Sequence, residues 1–187
     1  MIFCFDCEGT GPNFIRNGLK SIGYVLGTFS DQILEKGRID ILPMPNQTPD
    51  HDTFTNFYQK NNPGLWEALT EHAVEPNVGM QKFNELLTRL EKMYELYILT
   101  DAPSYDAGLV NYYLQYYGYL PLHFTREGKF RPVHDADSYA RGVLHFGKDK
   151  IWVDNKKDIG EIDSVKADHF PENDAESIYR YHLKLIK

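Results

Sequence analysis

Apolar and polar positions follow two rhythms along this chain, and the change of rhythm marks out its elements. Ile2-Phe3-Cys4-Phe5-Asp6-Cys7-Glu8 is almost wholly apolar until two carboxylates interrupt it. Such a run predicts a strand covered on both faces. Residues 19–29 and 32–42 are rich in Ile, Val and Leu, with Ser30-Asp31 as a turn between them. These three segments predict an antiparallel meander. Residues 43–64 hold several Pro, Asn and Asp and read as an irregular excursion.

The period then lengthens. Residues 66–74 predict a short helix, and residues 80–94 a long one with Phe83, Leu86, Leu87, Leu90 and Tyr94 on one face. A strand at 97–100 ends at Asp101. Helix 106–117 follows, striped by Leu109, Val110, Tyr113, Leu114 and Tyr117 and stopped by Gly118. Residues 131–135 form a last strand and 136–146 a helix, before a charged loop at 147–166. The final helix carries the stripe Ala175, Ile178, Tyr179, Leu183 and Ile186, with Asn173 and Glu176 as its N-cap pair. Three strands followed by alternating helices and strands predict one mixed α/β sheet flanked by helices, over a single domain spanning 1–187.

Composition changes this picture little. The 187 residues are 42% hydrophobic, enough for a real core, and no apolar run reaches membrane length. The expected setting is soluble and cytoplasmic, with no membrane partner. A net charge of −7 excludes a long nucleic-acid groove lined by basic residues, but not a short grip on chain ends. The only cysteines, Cys4 and Cys7, fall on opposite faces of the first strand and read as packing residues.

The acids carry the chemistry. Asp6 and Glu8, at i and i+2 of a strand, point to one face, and burying both requires a cation. Asp106 opens a helix directly after a strand, and His169-Phe170-Pro171-Glu172-Asn173-Asp174 leads into the last helix. In this order the segments resemble the motifs of the DEDDh 3′–5′ exonucleases, which have the ribonuclease H-like fold. Asp6 and Glu8 match their Asp-x-Glu, Asp106 after Tyr105 their second motif, and His169 with Asp174 their His-x4-Asp. Gly9-Thr10-Gly11 resembles the segment whose backbone meets the terminal nucleotide, and Ser21-Ile22-Gly23-Tyr24-Val25 the second-strand signature. Where many members carry His-Asn, this chain has Asp101-Ala102, and Asp101 stays outside the expected ligand set.

The resemblance implies a fold, a site and a reaction. Asp6, Glu8, Asp106 and Asp174 would hold two divalent cations, Mg²⁺ or Mn²⁺, about 3.5–4 Å apart. Imidazole, with an ordinary pKa of about 6.5, suits His169 as the base that takes the proton of the attacking water. The expected activity is release of nucleoside 5′-monophosphates from single-stranded 3′ ends, RNA or short oligonucleotides being slightly favoured over DNA. Gly9, Thr10, Gly11, Trp66 and Tyr105 are the expected substrate contacts, with Phe14 and Tyr58 as further aromatic candidates for base stacking. A homodimer is carried as a further expectation. Two rival readings stay open: a structure-selective endonuclease on the same fold, and a non-catalytic nucleic-acid-binding protein.

Overall fold

The computed structural model describes residues 1–145, 159–160 and 168–187. Most of the charged 147–166 loop, and Phe146 at the expected end of the fourth helix, lie outside the described residues. A five-stranded sheet in the order β3-β2-β1-β4-β5 forms the centre. β1 (Ile2–Gly9), β2 (Leu19–Gly27) and β3 (Ile33–Asp40) make the antiparallel meander. β4 (Tyr97–Thr100) and β5 (Val133–Asp135) add parallel strands beside β1. This is the mixed α/β sheet that the order of elements predicted, in the arrangement that the resemblance implied.

Strand parity divides the core. Phe3, Phe5 and Cys7 of β1 pack under α2 (Pro76–Met93) and α3 (Asp106–Tyr116). Ile2 and Cys4 face the other way, against α5 (Pro171–Ile186) and Ala136 of α4 (Ala136–Val143). The two cysteines are thus free, buried and on opposite faces. Asp6 and Glu8 share the parity of Ile2 and Cys4, which turns both carboxylates toward the start of α5. They sit toward the carboxyl end of β1, beside that of its parallel neighbour β4, where open α/β sheets place their sites.

α5 is held at its start by charges set two apart on β3. Lys36 Nζ donates to Asn173 Oδ1 at 2.5 Å and to Glu176 Oε2 at 2.8 Å. Arg38 Nη1 donates to Glu172 Oε1 at 3.0 Å, and its guanidinium lies 5.1 Å from the Phe170 ring centre. Asn173 and Glu176 are therefore not the cap pair that their spacing suggested. Pro171, with φ fixed and no N–H to satisfy, starts the helix two residues earlier.

Other departures have similar causes. Only Leu65–Ala68, called α1, is helical in the expected 66–74 segment, since Val74 leaves to bridge Ile41. The irregular excursion contains a π-helical segment, Thr53–Asn61, opened by Asp50, whose carboxylate accepts from the Thr53 N–H at 2.9 Å. Ile186 closes the expected apolar stripe yet stands 36% exposed at the chain end. No helix among the described residues is long and apolar enough to cross a membrane.

Candidate active site

Five acids and a histidine from separate segments meet at the end of β1. Ligand atoms of Asp6, Asp101 and Asp106 lie within 4.8 Å of one another, as do those of Glu8, His169 and Asp174. Asp106 is the first residue of α3 and is buried, its Oδ2 accepting from the Thr100 hydroxyl at 2.5 Å. Thr100, the last residue of β4, thereby fixes this carboxylate to the strand end. Asp174 lies in the first turn of α5, where the helix dipole favours an acid. His169 precedes the helix with φ of 61°, a left-handed conformation uncommon outside glycine, and its Nδ1 stands 3.9 Å from Glu8 Oε1.

Asp101, which the sequence left outside the expected ligand set, belongs to this constellation. The signal was present: it ends β4 as Glu8 ends β1, and parallel neighbours deliver their carboxyl ends together.

Electrostatics follow from the crowding. Burial first, then Asp106, Glu8, Asp101 and Asp174, pushes the Asp6 carboxyl well above the usual carboxylate range. Burial, Asp174 and Asp106 do the same to Glu8. Asp106 is pushed up to about 8, mainly by burial, against the lowering effect of the Thr100 hydroxyl. Asp174 rises to about 7 through burial and neighbouring acids, although the His169 backbone N–H holds it down. Acids held neutral at such cost are what a divalent cation would relieve. All-carboxylate oxygen with one imidazole fits a hard ion such as Mg²⁺ or Mn²⁺.

These shifts give a stability prediction. A carboxyl raised in the fold contributes stability that is full below its unfolded pKa of about 4 and lost as pH rises through its folded value. These two groups should therefore lower the melting temperature of the metal-free protein as pH rises from about 4 to their folded values of about 7 and 8, and add no further loss above that. His134 and His182, both lowered by burial, act in the opposite sense below about pH 6.5. Mg²⁺ at a hundredfold its dissociation constant should add ~2.7 kcal/mol and flatten the fall with pH. Melting curves in EDTA and in Mg²⁺ read this directly, and an EDTA profile that does not fall between about pH 6.5 and about pH 8 would sink it.

The expected substrate contacts divide. Thr10 is fully buried; its N–H donates to the Gly18 carbonyl at 2.8 Å and its hydroxyl accepts from the Gly18 N–H at 2.5 Å. It shapes the loop rather than facing a ligand. The Gly9 carbonyl accepts from Tyr58 at 2.8 Å, and the Gly11 carbonyl from Tyr105 at 3.1 Å. A Cβ on Gly9 would fall 2.2 Å from the Tyr105 hydroxyl oxygen, so the glycine is required by close approach. Tyr105 lies beside the acids and meets Phe14 edge-on at 5.6 Å.

Trp66 is partly buried, edge-on to Phe54 and Tyr58 at 4.9 and 5.0 Å, with Lys20 Nζ 4.4 Å from its ring centre. Tyr58 is completely buried and cannot stack a base, because its hydroxyl finds its partner inward on Gly9. A groove of about 1110 Å³ opens elsewhere, lined by Met1, Tyr97 and Arg131, and contains none of the five site acids.

The five-stranded mixed sheet flanked by helices defines a ribonuclease H-like fold. No family model and no curated protein sequence matches the chain. Among solved structures it is similar to E. coli exonuclease I bound to a dA16 oligonucleotide (TM-score 0.70, 12% identity, 97% of this chain, 40% of the other). It is also similar to a 3′-exonuclease that recognises the 3′ end of a histone mRNA stem-loop (TM-score 0.67, 15% identity, 99% of this chain, 80% of the other). A zinc-bound E. coli exonuclease I–single-stranded DNA complex gives TM-score 0.70 at 12% identity, again over 97% of this chain and 40% of the other. The chain thus spans about 40% of the exonuclease I chains.

Proposed function

We propose that this chain is a metal-dependent 3′–5′ exonuclease acting on single-stranded ends. The observation that carries the reading is the convergence of Asp6, Glu8, Asp106, Asp174 and His169, from β1, the start of α3 and the start of α5, in two adjoining clusters. Asp6, Asp101 and Asp106 would hold one divalent ion, and Glu8 and Asp174 a second. Such ions supply Lewis-acid stabilisation of charge on the phosphoryl oxygens. His169, on the solvent side of the cluster, would accept the proton of the attacking water. Tyr105 with Phe14 offers an aromatic wall for the terminal bases. The backbone of Gly9 to Gly11 would lie along the last nucleotide.

Nothing among these groups counts nucleotides, so polarity and polymer are read by experiment. 5′-labelled single-stranded RNA and DNA in Mg²⁺, Mn²⁺ or EDTA should give a metal-dependent ladder shortening from the 3′ end, with RNA or short oligonucleotides slightly faster. Full cleavage of a strand with a blocked 3′ end would favour an endonuclease. Tight binding without turnover in any metal would favour a binding protein.

His169→Ala should lower turnover by about 10²- to 10⁴-fold, the range of a general base, while metal affinity persists. Calorimetric Mg²⁺ titration beside single-turnover kinetics separates the two effects. Unchanged turnover removes His169 from the mechanism.

A further inference from the structure

The His169 imidazole is poorly secured by its own neighbours in sequence. Its side chain is 48% exposed, its backbone is left-handed, and Glu8 is 3.9 Å away. An open side chain of this kind explores several rotamers unless something beside it is rigid. The rigid object is Phe57, whose ring meets the imidazole edge-on at 5.0 Å with the planes at 79°.

Phe57 is itself well fixed. Its carbonyl accepts from the Asn62 backbone N–H at 3.0 Å and from the Asn62 side-chain amide at 3.1 Å. Its ring packs edge-on against Tyr58 at 4.9 Å, and Tyr58 is completely buried and bonded to Gly9 at the end of β1. Both aromatics ride on the π-helical segment Thr53–Asn61, a winding concentrated at functional sites. Consecutive residues therefore face two ways: Tyr58 inward to the strand that bears the acids, Phe57 outward to the histidine. Phe170, next to His169, packs on the same cluster.

We infer that Phe57 is a positioning residue for His169, its ring holding the imidazole beside Glu8. The effect on rate rests on the nuclease reading; the contact does not. The test uses the full chain in Mg²⁺ with ¹³C-labelled histidine, the His169 ring protons being assigned by their absence in His169→Gln. Phe57→Leu should move those resonances by removing the ring current. It should also lower kcat about 10- to 100-fold, the scale of a misplaced catalytic group. KM should stay within about twofold, as for a loss felt only in the transition state.

Phe57→Tyr keeps the ring and should restore both signature and rate. Should Phe57→Leu not fold, Phe57→Trp changes the ring current and is read for the shift alone. Unmoved resonances overturn the inference, as does a raised KM with kcat unchanged, which would make Phe57 a base-stacking residue. A wild type without metal-dependent cleavage defeats the nuclease reading and leaves the shift test standing. An active wild type with unmoved shifts defeats only the role of Phe57.

Discussion

Asp6→Asn should sharply lower metal-dependent turnover while making the metal-free protein more stable. Asp6 lies at the centre of the cluster, with Asp106, Glu8, Asp101 and Asp174 all raising its pKa after burial itself. An amide of nearly the same shape removes a carboxyl that is costly to ionise and eases its neighbours. The same change takes a charged oxygen from the Asp6–Asp101–Asp106 set. A loss of about 10³-fold in rate is ~4 kcal/mol of transition-state stabilisation, within what Lewis-acid assistance supplies. The two effects have opposite sign, which separates a ligand from a merely structural acid. Melting in EDTA, Mg²⁺ titration and single-turnover kinetics on one sample read all three quantities. Unaltered metal affinity strikes Asp6 from the ligand set, and a lower metal-free melting temperature contradicts the electrostatic account.

The parts of this site legible in the sequence are those governed by local periodicity. Asp6 and Glu8 share a face because strand parity requires it, and Asp106 opens its helix because it follows a strand end. His169 and Asp174 were reached through resemblance rather than through spacing alone. Four features were missed or only half read, and three of them depend on distant residues. Asp101 joins the cluster only because β4 pairs in parallel with β1. The π-helical segment was hidden among turn-forming residues. Tyr58 looked exposed in a polar stretch, yet a hydrogen bond to Gly9, 49 residues away, draws it inside. Asn173 and Glu176 have the spacing of a cap, but Lys36, on the far edge strand, claims both.

The bulge where β1 ends shows the same dependence. Glu8 pairs with Ser21 and Gly9 with Leu19, so Lys20 is the extra residue on β2. A bulge re-aims a side chain, and here Lys20 turns to Trp66 and to the Thr70 hydroxyl, which accepts from its Nζ at 2.5 Å. Burial lowers this lysine to about 8. Lys20 thus binds the aromatic cluster beside Phe57 to β2, the strand paired with the one that carries Asp6 and Glu8. The apolar support of His169 and the carboxylates share one frame.

Gly23→Ala should impair the site without touching any of its side chains. Gly23 pairs with Asp6 across the β1–β2 ladder and lies on the face that α5 covers. A Cβ there would stand 1.9 Å from the Pro171 carbonyl carbon and 2.0 Å from the Glu172 nitrogen, where ordinary contact is 3.4 Å or more. Both obstacles are backbone, so no rotamer change relieves them, and the start of α5 must lift. His169 lies two residues before Pro171 and Asp174 three after it, so the base and an acid move together. Displacement of about 1 Å can cost ~10²-fold in rate, and overpacking typically costs about 1–3 kcal/mol. Gly142, in α4, has nothing within 4 Å of its added Cβ, and Gly142→Ala is the matched control. It should leave turnover alone and, by helix propensity, raise stability by up to ~1 kcal/mol. Paired melting curves, Mg²⁺ affinities and rates decide the matter. A Gly23→Ala protein that melts and turns over like the wild type would show that α5 does not depend on this glycine for its seat.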